Sequence, residues 1–287
     1  MSVSVTTAAL KTNLTTVSAA QSLLGLDAAA KPLLEQLVFR ASAAIVTHCH
    51  RSFARELVTE TVPGFGDNFL MLDRTPVAGT PTITQNGEPI TDFTVDNADS
   101  GLLYRKLGWT WTVGLGWNLT EYTVPRSEDP QFAVVYGAGY LMPDDDVSAQ
   151  GLIATSASKT FTLSGGTMPL VVAGDRIVTS GFTQSGNNGT FTVVSRTAST
   201  IVVSEALTDE LTASADIKTI AVRTLPGDIE QACLETVKAW YLGKGRDPGI
   251  VSRSVGDLSI TYAQPQNLPQ TLPFSAIGLL GPWVRMA

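Results

Sequence analysis

Charge is scarce in this chain, and basic charge scarcest. Charged residues make up 16% of the 287, with 19 Lys and Arg against 26 Asp and Glu, for a formal net charge of -7. Binding nucleic acid by neutralising phosphates needs a basic face, which this composition does not supply. An acidic surface beside DNA repels it instead. Cysteine is rare too: Cys49 and Cys233 are the only two, and a disulfide scaffold of this length would use more. Both fall in helix-like segments and are expected to be reduced core residues, because free Cys packs as a small hydrophobe. No apolar run is long enough to cross a bilayer. Residues 1–10 have neither a basic start nor an apolar block, so synthesis in the cytoplasm without a signal peptide is expected. Without export, the Asn-x-Ser/Thr triplets at Asn13, Asn118 and Asn188 carry no glycosylation meaning.

Chemistry-bearing constellations are equally thin. His48-Cys49-His50 is shaped like a metal box, yet helix neighbours one and two apart point in different directions, and a tetrahedral site needs further ligands. Asp144-Asp145-Asp146 lacks the Gly and Glu spacing of a calcium loop and reads as a solvated boundary loop. The glycine pairs at Gly114/Gly116, Gly137/Gly139 and Gly243/Gly245 complete no dinucleotide or phosphate loop. No Ser sits in a Gly-x-Ser-x-Gly elbow, and a His-based triad would have to use His48 or His50 within a helix. The expectation is a protein with no catalytic residue, no metal and no cofactor.

What is present is apolar material for real cores, 44% of the chain, arranged with helices at both ends and strands between. Residues 16–24 make a short helix candidate stopped by Gly25. From about 27 to about 51, Leu33, Leu34, Leu37, Val38, Ala41, Ala44, Ile45 and His48 recur at three- and four-residue steps, and Pro32 sits where a first turn tolerates it. After Pro226 a third helix is marked by Ile229, Ala232, Cys233, Thr236, Val237, Trp240 and Tyr241, with Asp228 and Glu230 at its dipole-positive start.

Between 57 and 140 the period drops to two. Asn86-Gly87 between extended runs predicts a two-residue hairpin with positive φ at both turn positions. Further strands are expected at 68–72, 93–95, 102–105, 122–124 and 131–136. Residues 151–220 are rich in Ser, Thr, Gly and Val, with strands expected at 159–163, 175–179, 190–195, 200–204 and 216–220. Their regular spacing suggests a small barrel or sandwich. A possible strand at 254–262 leads to a Pro-punctuated apolar tail, 268–287.

With residues 147–222 set aside, the flanks join into a chain that resembles the head-completion connector (adaptor) family of tailed bacteriophages. The matching pieces are Ala41-Ser-Ala-Ala-Ile-Val-Thr-His-Cys-His-Arg51-Ser-Phe53 closing a helix, the hairpin at 81–90 with Phe93-Thr-Val-Asp96, Gly101-Leu-Leu-Tyr-Arg105 leading to Trp109, Val134-Val-Tyr-Gly-Ala-Gly-Tyr140, and Leu225-Pro-Gly-Asp-Ile-Glu-Gln-Ala232 opening the next helix. Their order, over most of both flanks, carries the resemblance.

The resemblance implies an α+β fold: a helical bundle with a small β meander subdomain, plus an inserted all-β domain, barrel or sandwich. Residues 1–146 and 223–287 would be two parts of the connector domain, and 147–222 the insert, which departs from the family pattern. It also implies a virion protein of the neck, assembled as a closed ring of about twelve copies beneath the portal. Its partners would be the portal protein, neighbouring copies of itself, the next neck or tail protein (stopper or tail terminator), and passing viral DNA without sequence-specific binding; no membrane is involved. The tail, through Leu272, Phe274, Ile277, Leu279, Leu280 and Trp283, is expected to dock on the portal, because a segment so broken by Gly and Pro cannot build its own core. Trp109, Trp111 and Trp117 are expected at a subunit interface, with core packing as the alternative. Exposed instead, they would suit stacking on sugar rings. The competing function is therefore a carbohydrate-binding or decorating module of a phage tail or capsid, with recognition carried by the insert.

Overall fold

The structure, a computed structural model, describes residues 2–112, 131–210, 216–243, 252–255, 258–261 and 272–285. The chain divides into two compact units, 1–11 with 53–224, and 12–52 with 225–287. The class is α+β, with four helices and antiparallel sheets among the described residues.

The part of the first unit that precedes residue 139 holds two open sheets. The larger runs β1-β2-β8-β4-β5 and the smaller β3-β7-β6, formed by β1 (Ser2–Thr7), β2 (Glu56–Val62), β3 (Phe69–Met71), β4 (Val77–Gln85), β5 (Glu88–Ile90), β6 (Thr94–Asn97), β7 (Leu102–Tyr104) and β8 (Phe132–Ala138). The expected hairpin joins β4 to β5: Asn86 and Gly87 have φ of 54° and 85°, and Gln85 lies opposite Glu88. That twist matches the strands it connects. Alternation places Val58 and Val62 of β2 and Phe132, Val134 and Tyr136 of β8 in one core. Close backbone approach requires glycine at 139: its φ is 94°, and a Cβ there would lie 2.6 Å from the Ala54 carbonyl oxygen. The strand expected at 122–124 lies outside the described residues.

The same unit contains a seven-stranded sheet in the order β10-β11-β14-β13-β12-β15-β9. Its strands are β9 (Val147–Ala149), β10 (Leu152–Thr155), β11 (Thr160–Leu163), β12 (Arg176–Ser180), β13 (Gly189–Arg196), β14 (Thr200–Val203) and β15 (Lys218–Ala221). Inward residues from these strands, among them Leu152, Phe161, Ile177, Phe191, Ile201 and Ile220, fill a single core. The barrel expectation is corrected: the ladder is open, because β9 and β10 lie at opposite ends of the strand order although only Gln150 and Gly151 separate them in sequence. Along β10 the gap is covered instead by Glu210, whose backbone pairs with Ala154 in both directions at 2.9 and 3.2 Å.

The ends of this segment are clamped together. Asp146 accepts from the Val222 amide at 2.8 Å and meets Arg223 at 3.4 Å, and Ile220 pairs with Val147 across β15 and β9. Its loop at 172–175 is held to the larger meander sheet by a buried ion pair, Arg55 Nη1 to Asp175 Oδ2 at 3.0 Å. Arg55 also donates from Nε to the Gly139 carbonyl at 2.7 Å.

The second unit is helical: α1 (Val17–Leu24), α2 (Lys31–Cys49), α3 (Gly227–Gly243) and α4 (Phe274–Leu280), with a hairpin of β16 (Ser252–Val255) and β17 (Leu258–Thr261). Thr16 caps α1, its hydroxyl accepting from the Ala19 amide at 3.0 Å, and Gly25 ends it in the left-handed region. On α2 the buried stripe is Leu34, Val38, Ala41, Ser42, Ile45 and Cys49, which packs on Ile229, Ala232, Cys233, Thr236 and Val237 of α3. Each such aliphatic side chain contributes about 1.5–3 kcal/mol on full burial. Ser42 is the polar member of that seam. Its hydroxyl donates to the Val38 carbonyl at 2.8 Å, accepts from the Leu14 amide at 3.0 Å, and lies 3.7 Å from the Cys233 sulfur.

Candidate interaction surfaces

The apolar tail divides between home and surface. Residues at four-residue steps, Leu272, Ala276 and Leu280, are buried in the helical unit, where α4 packs on α3. The Arg285 amide, just beyond, donates to the Cys49 carbonyl at 3.1 Å. The expectation that this segment cannot contribute to its own core is thus corrected. Leu272 and Leu280 are not presented to a partner, because a helical stripe of this spacing finds its partner on α3. Phe274 is turned out, 65% exposed, and Ile277, Leu279 and Trp283 are half-buried.

The tryptophans divide in the same way. Trp109 is fully buried, edge-on to Phe132 at 5.2 Å and 6.2 Å from Phe93, with the Arg105 guanidinium 5.8 Å from its ring centre. It is a core residue of the first unit, so its assignment to a subunit interface is corrected. Main-chain pairing explains the inward turn: the Trp109 amide donates to the Asp67 carbonyl at 2.8 Å, and its carbonyl accepts from Gly66 at 2.9 Å. Trp111, by contrast, is 50% exposed and stands edge-to-face with Phe65, 46% exposed, at 6.1 Å. Thr110 beside it exchanges hydrogen bonds with the Gln85 amide group at 3.0 and 3.2 Å. Trp117 lies outside the described residues.

Two buried polar clusters have no counterpart in the sequence analysis, and a third corrects it: Asp145, expected in a solvated loop, is buried. Lys218 is fully buried inside the rolled sheet. Its ammonium contacts Glu210 Oε1 at 2.7 Å, donates to the Leu152 carbonyl at 2.8 Å, and sits 5.1 Å from the Phe182 ring centre. Parity could have revealed it: Lys218 is two residues from Ile220, a core residue of the same strand, and so shares its face. In the meander, Glu60 accepts the Asp73 amide on both oxygens at 2.9 and 3.0 Å and the Tyr136 hydroxyl at 2.6 Å. Burial dominates and raises the Glu60 carboxyl above its ordinary range. At the base of the rolled sheet, burial pushes Asp145 up to about 6, although its side chain accepts the Met142 amide at 2.7 Å.

Asp145 and Asp146 turn to different partners, Met142 in one case and Val222 with Arg223 in the other. Among the described residues no group of three His, Cys, Asp or Glu side chains is placed to hold a metal. The His48-Cys49-His50 box is split by its helix: Cys49 points into the core, its thiol raised to about 11 by burial, while His50 is the left-handed cap with φ 52°. Both cysteines are free and buried. No helix among the described residues is long and apolar enough to cross a membrane. No protein-family model and no curated protein matches the chain.

Proposed function

We propose that the chain is a non-catalytic structural protein of a tailed-phage virion. It forms a ring that joins the portal of the head to the tail and extends the DNA channel, as a head-completion adaptor. On this reading the connector is the helical bundle with the meander, residues 1–146 and 223–287, and residues 147–222 are the inserted β domain. The observation that carries it is the union of the chain's two outer segments: residues 12–52 and 225–287 pack as one unit, α2 on α3, although the whole strand-rich region lies between them. The order of resembling motifs calls for the two outer helical segments to fold together; the strand-rich passage between them, residues 53–224, meander included, clusters as the other unit. The clamp of Asp146 on Val222 and Arg223 supports the passenger's boundaries, since insertion is tolerated where the two ends are close. The net charge of -7 suits a wall past which DNA slides.

Mass photometry of the purified protein, alone and with a portal protein of the same phage, tests the reading. Rings or portal-bound multimers are expected, and their absence in both samples would contradict it. Phe274→Asp is the sharper variant than removal of the tail, because it changes an exposed ring and leaves Leu272, Ala276 and Leu280 in place. It should lower portal association at least tenfold with an unchanged circular dichroism spectrum.

A second reading, a carbohydrate-binding or decorating module, is favoured by the exposed Phe65 and Trp111 pair with Gln85 and Thr110 alongside, an aromatic corner with adjacent polar groups of the kind sugars use. The feature lies in the meander and not in the insert, whose Phe161, Phe182 and Phe191 are buried. Quenching of Trp111 fluorescence by oligosaccharides, abolished in Trp111→Ala, would favour it.

A further inference from the structure

The first strand, β1, is attached to its sheet in an unusual way. It forms an edge of the five-stranded sheet, and of its side chains only Val3 packs against the hydrophobic core, while Val5 is 45% exposed. The side-chain ties to β2 are two: the Ser4 hydroxyl donates to the Thr59 carbonyl at 3.2 Å, and the Thr6 and Thr59 hydroxyls meet at 3.1 Å. What holds β1 is therefore the main-chain ladder, running from Ser2 opposite Thr61 to Val5 opposite Val58 and slipping at a bulge before Thr7. A main-chain ladder does not distinguish the strand of one copy from the same strand of another.

Two further observations bear on this. Ser2-Val-Ser-Val-Thr-Thr7 contains no charged residue and no proline, the devices by which sheet edges are guarded against foreign strands. And the chain passes from the strand-rich unit to the helical unit between Lys11 and Thr12. The strand is thus tethered, through residues 8–11, to a different unit from the one whose edge it covers. Leaving that edge takes only Val3 from the core, and the buried strands β2 and β8 stay paired.

We propose that β1 is an exchange strand: in the assembled ring it lies on the β2 edge of a neighbouring copy and forms there the ladder seen here within one chain. The proposal rests on the ring reading above and names the element that links the copies. Exchange of an identical element costs little, since every hydrogen bond broken is remade. Residues 8–11, fully extended, reach at most about 14 Å, so the acceptor is a copy in direct contact.

Cysteines at Ser4 and Thr59 report the pairing, since directly opposed positions bring their Cβ atoms within about 4.5–5.5 Å and the native cysteines are buried. Ser4→Cys and Thr59→Cys are made on separate chains, mixed in equal amounts, assembled with portal, treated with a short bis-thiol crosslinker and run on denaturing gels. Exchange predicts crosslinked dimers at about a quarter of the junctions, the random share that pairs one variant's donor with the other's acceptor. The double variant S4C/T59C, assembled alone, should give a ladder of multimers. Rings in which the mixture gives no dimer and the double variant closes within single chains would overturn the exchange and leave the ring reading intact. Failure to form any multimer, with or without portal, would overturn both.

Discussion

Replacing Lys218 by methionine tests how the rolled sheet is held shut. The ladder does not join β9 to β10, and the Lys218 ammonium spans that gap from β15 to the Leu152 carbonyl of β10 at 2.8 Å and to Glu210 at 2.7 Å. Methionine fills nearly the same volume, so the loss is electrostatic. It strands the Glu210 carboxylate, 9% exposed, with only the Thr183 and Gln184 amides at 3.3 and 3.1 Å. Removing one partner of a buried pair costs about 3–5 kcal/mol, whereas replacing both partners by neutral groups is often close to neutral. The single variant should therefore accelerate amide hydrogen exchange in β10 and β15 by two to four orders of magnitude, at about 1.4 kcal/mol per tenfold. The double variant K218M/E210Q should recover part of that protection, because the neutral side chain leaves no stranded charge and its single amide oxygen still accepts from one of the two backbone amides.

The pH dependence has a definite sign. Burial alone would raise Glu210, but the Lys218 ammonium and the two backbone amides outweigh it and leave the carboxyl below its ordinary value. A depressed carboxyl contributes stability above the unfolded carboxylate range and loses it as pH falls through the folded value, so wild-type protection should decline below about pH 4. In E210Q that decline should be absent. Less than a tenfold change in K218M, or a double variant as labile as the single one, would refute the reasoning.

The remaining predictions concern the meander and the junction. Asp145, raised to about 6 by burial, runs the other way: its folded form retains a proton that the unfolded chain sheds. Stability should fall from about pH 4 to pH 6, by about 3 kcal/mol, and then level off. Asp145→Asn keeps an acceptor for the Met142 amide and should remove this slope in urea titrations of the wild-type and variant across that range. Trp109→Ala should cost about 3–5 kcal/mol by opening a cavity between Phe93 and Phe132. Trp109→Phe should cost well under half of that, since the indole nitrogen has no hydrogen-bond partner among the described residues; chemical denaturation separates the two. Gly139→Ala, with a Cβ forced toward the Ala54 carbonyl at positive φ, should destabilise by about 1–3 kcal/mol, visible as a lower denaturation midpoint.

Much of the architecture could be read ahead of the structure because it is written in periodicity. The stripe on α2 and the face of α3 follow the 3.6-residue repeat, and the Asn86-Gly87 turn and the strands at 160–163, 189–196 and 200–203 lie where turn chemistry and alternation put them. Of the strands without an expected counterpart, β1, β9 and β10 are short or weakly buried, while β2 is buried but carries Glu60 between Val58 and Val62 on its inward face, which masks its alternation. Ser-Val-Ser-Val-Thr-Thr has a clear alternation but too little apolar weight to stand out from loop, and its pairing with β2 is a contact some fifty residues away in the chain. The openness of the rolled sheet was equally hidden, since strand spacing is the same whether or not the last ladder closes.

Residues that face outward were harder still, and the reason is physical. An apolar side chain carries the same transfer free energy whether it is buried against its own chain or against another, so composition cannot separate the two. Separation comes from geometry at the scale of one or two residues. Trp109 and Trp111 differ by two positions, yet the backbone pairing of 109 with 66 and 67 turns the first ring inward and leaves the second beside Phe65 at the surface. Leu280 and Phe274 sit on one short helix that packs on α3, and the first is buried while the second stays 65% exposed among the described residues. What the structure adds to the tail and the tryptophans is a reduction in number: of nine residues expected to meet partners, Trp109, Leu272 and Leu280 are spent on the fold itself, and the exposed rings of Phe274 and Trp111 are where association can be altered without disturbing either core.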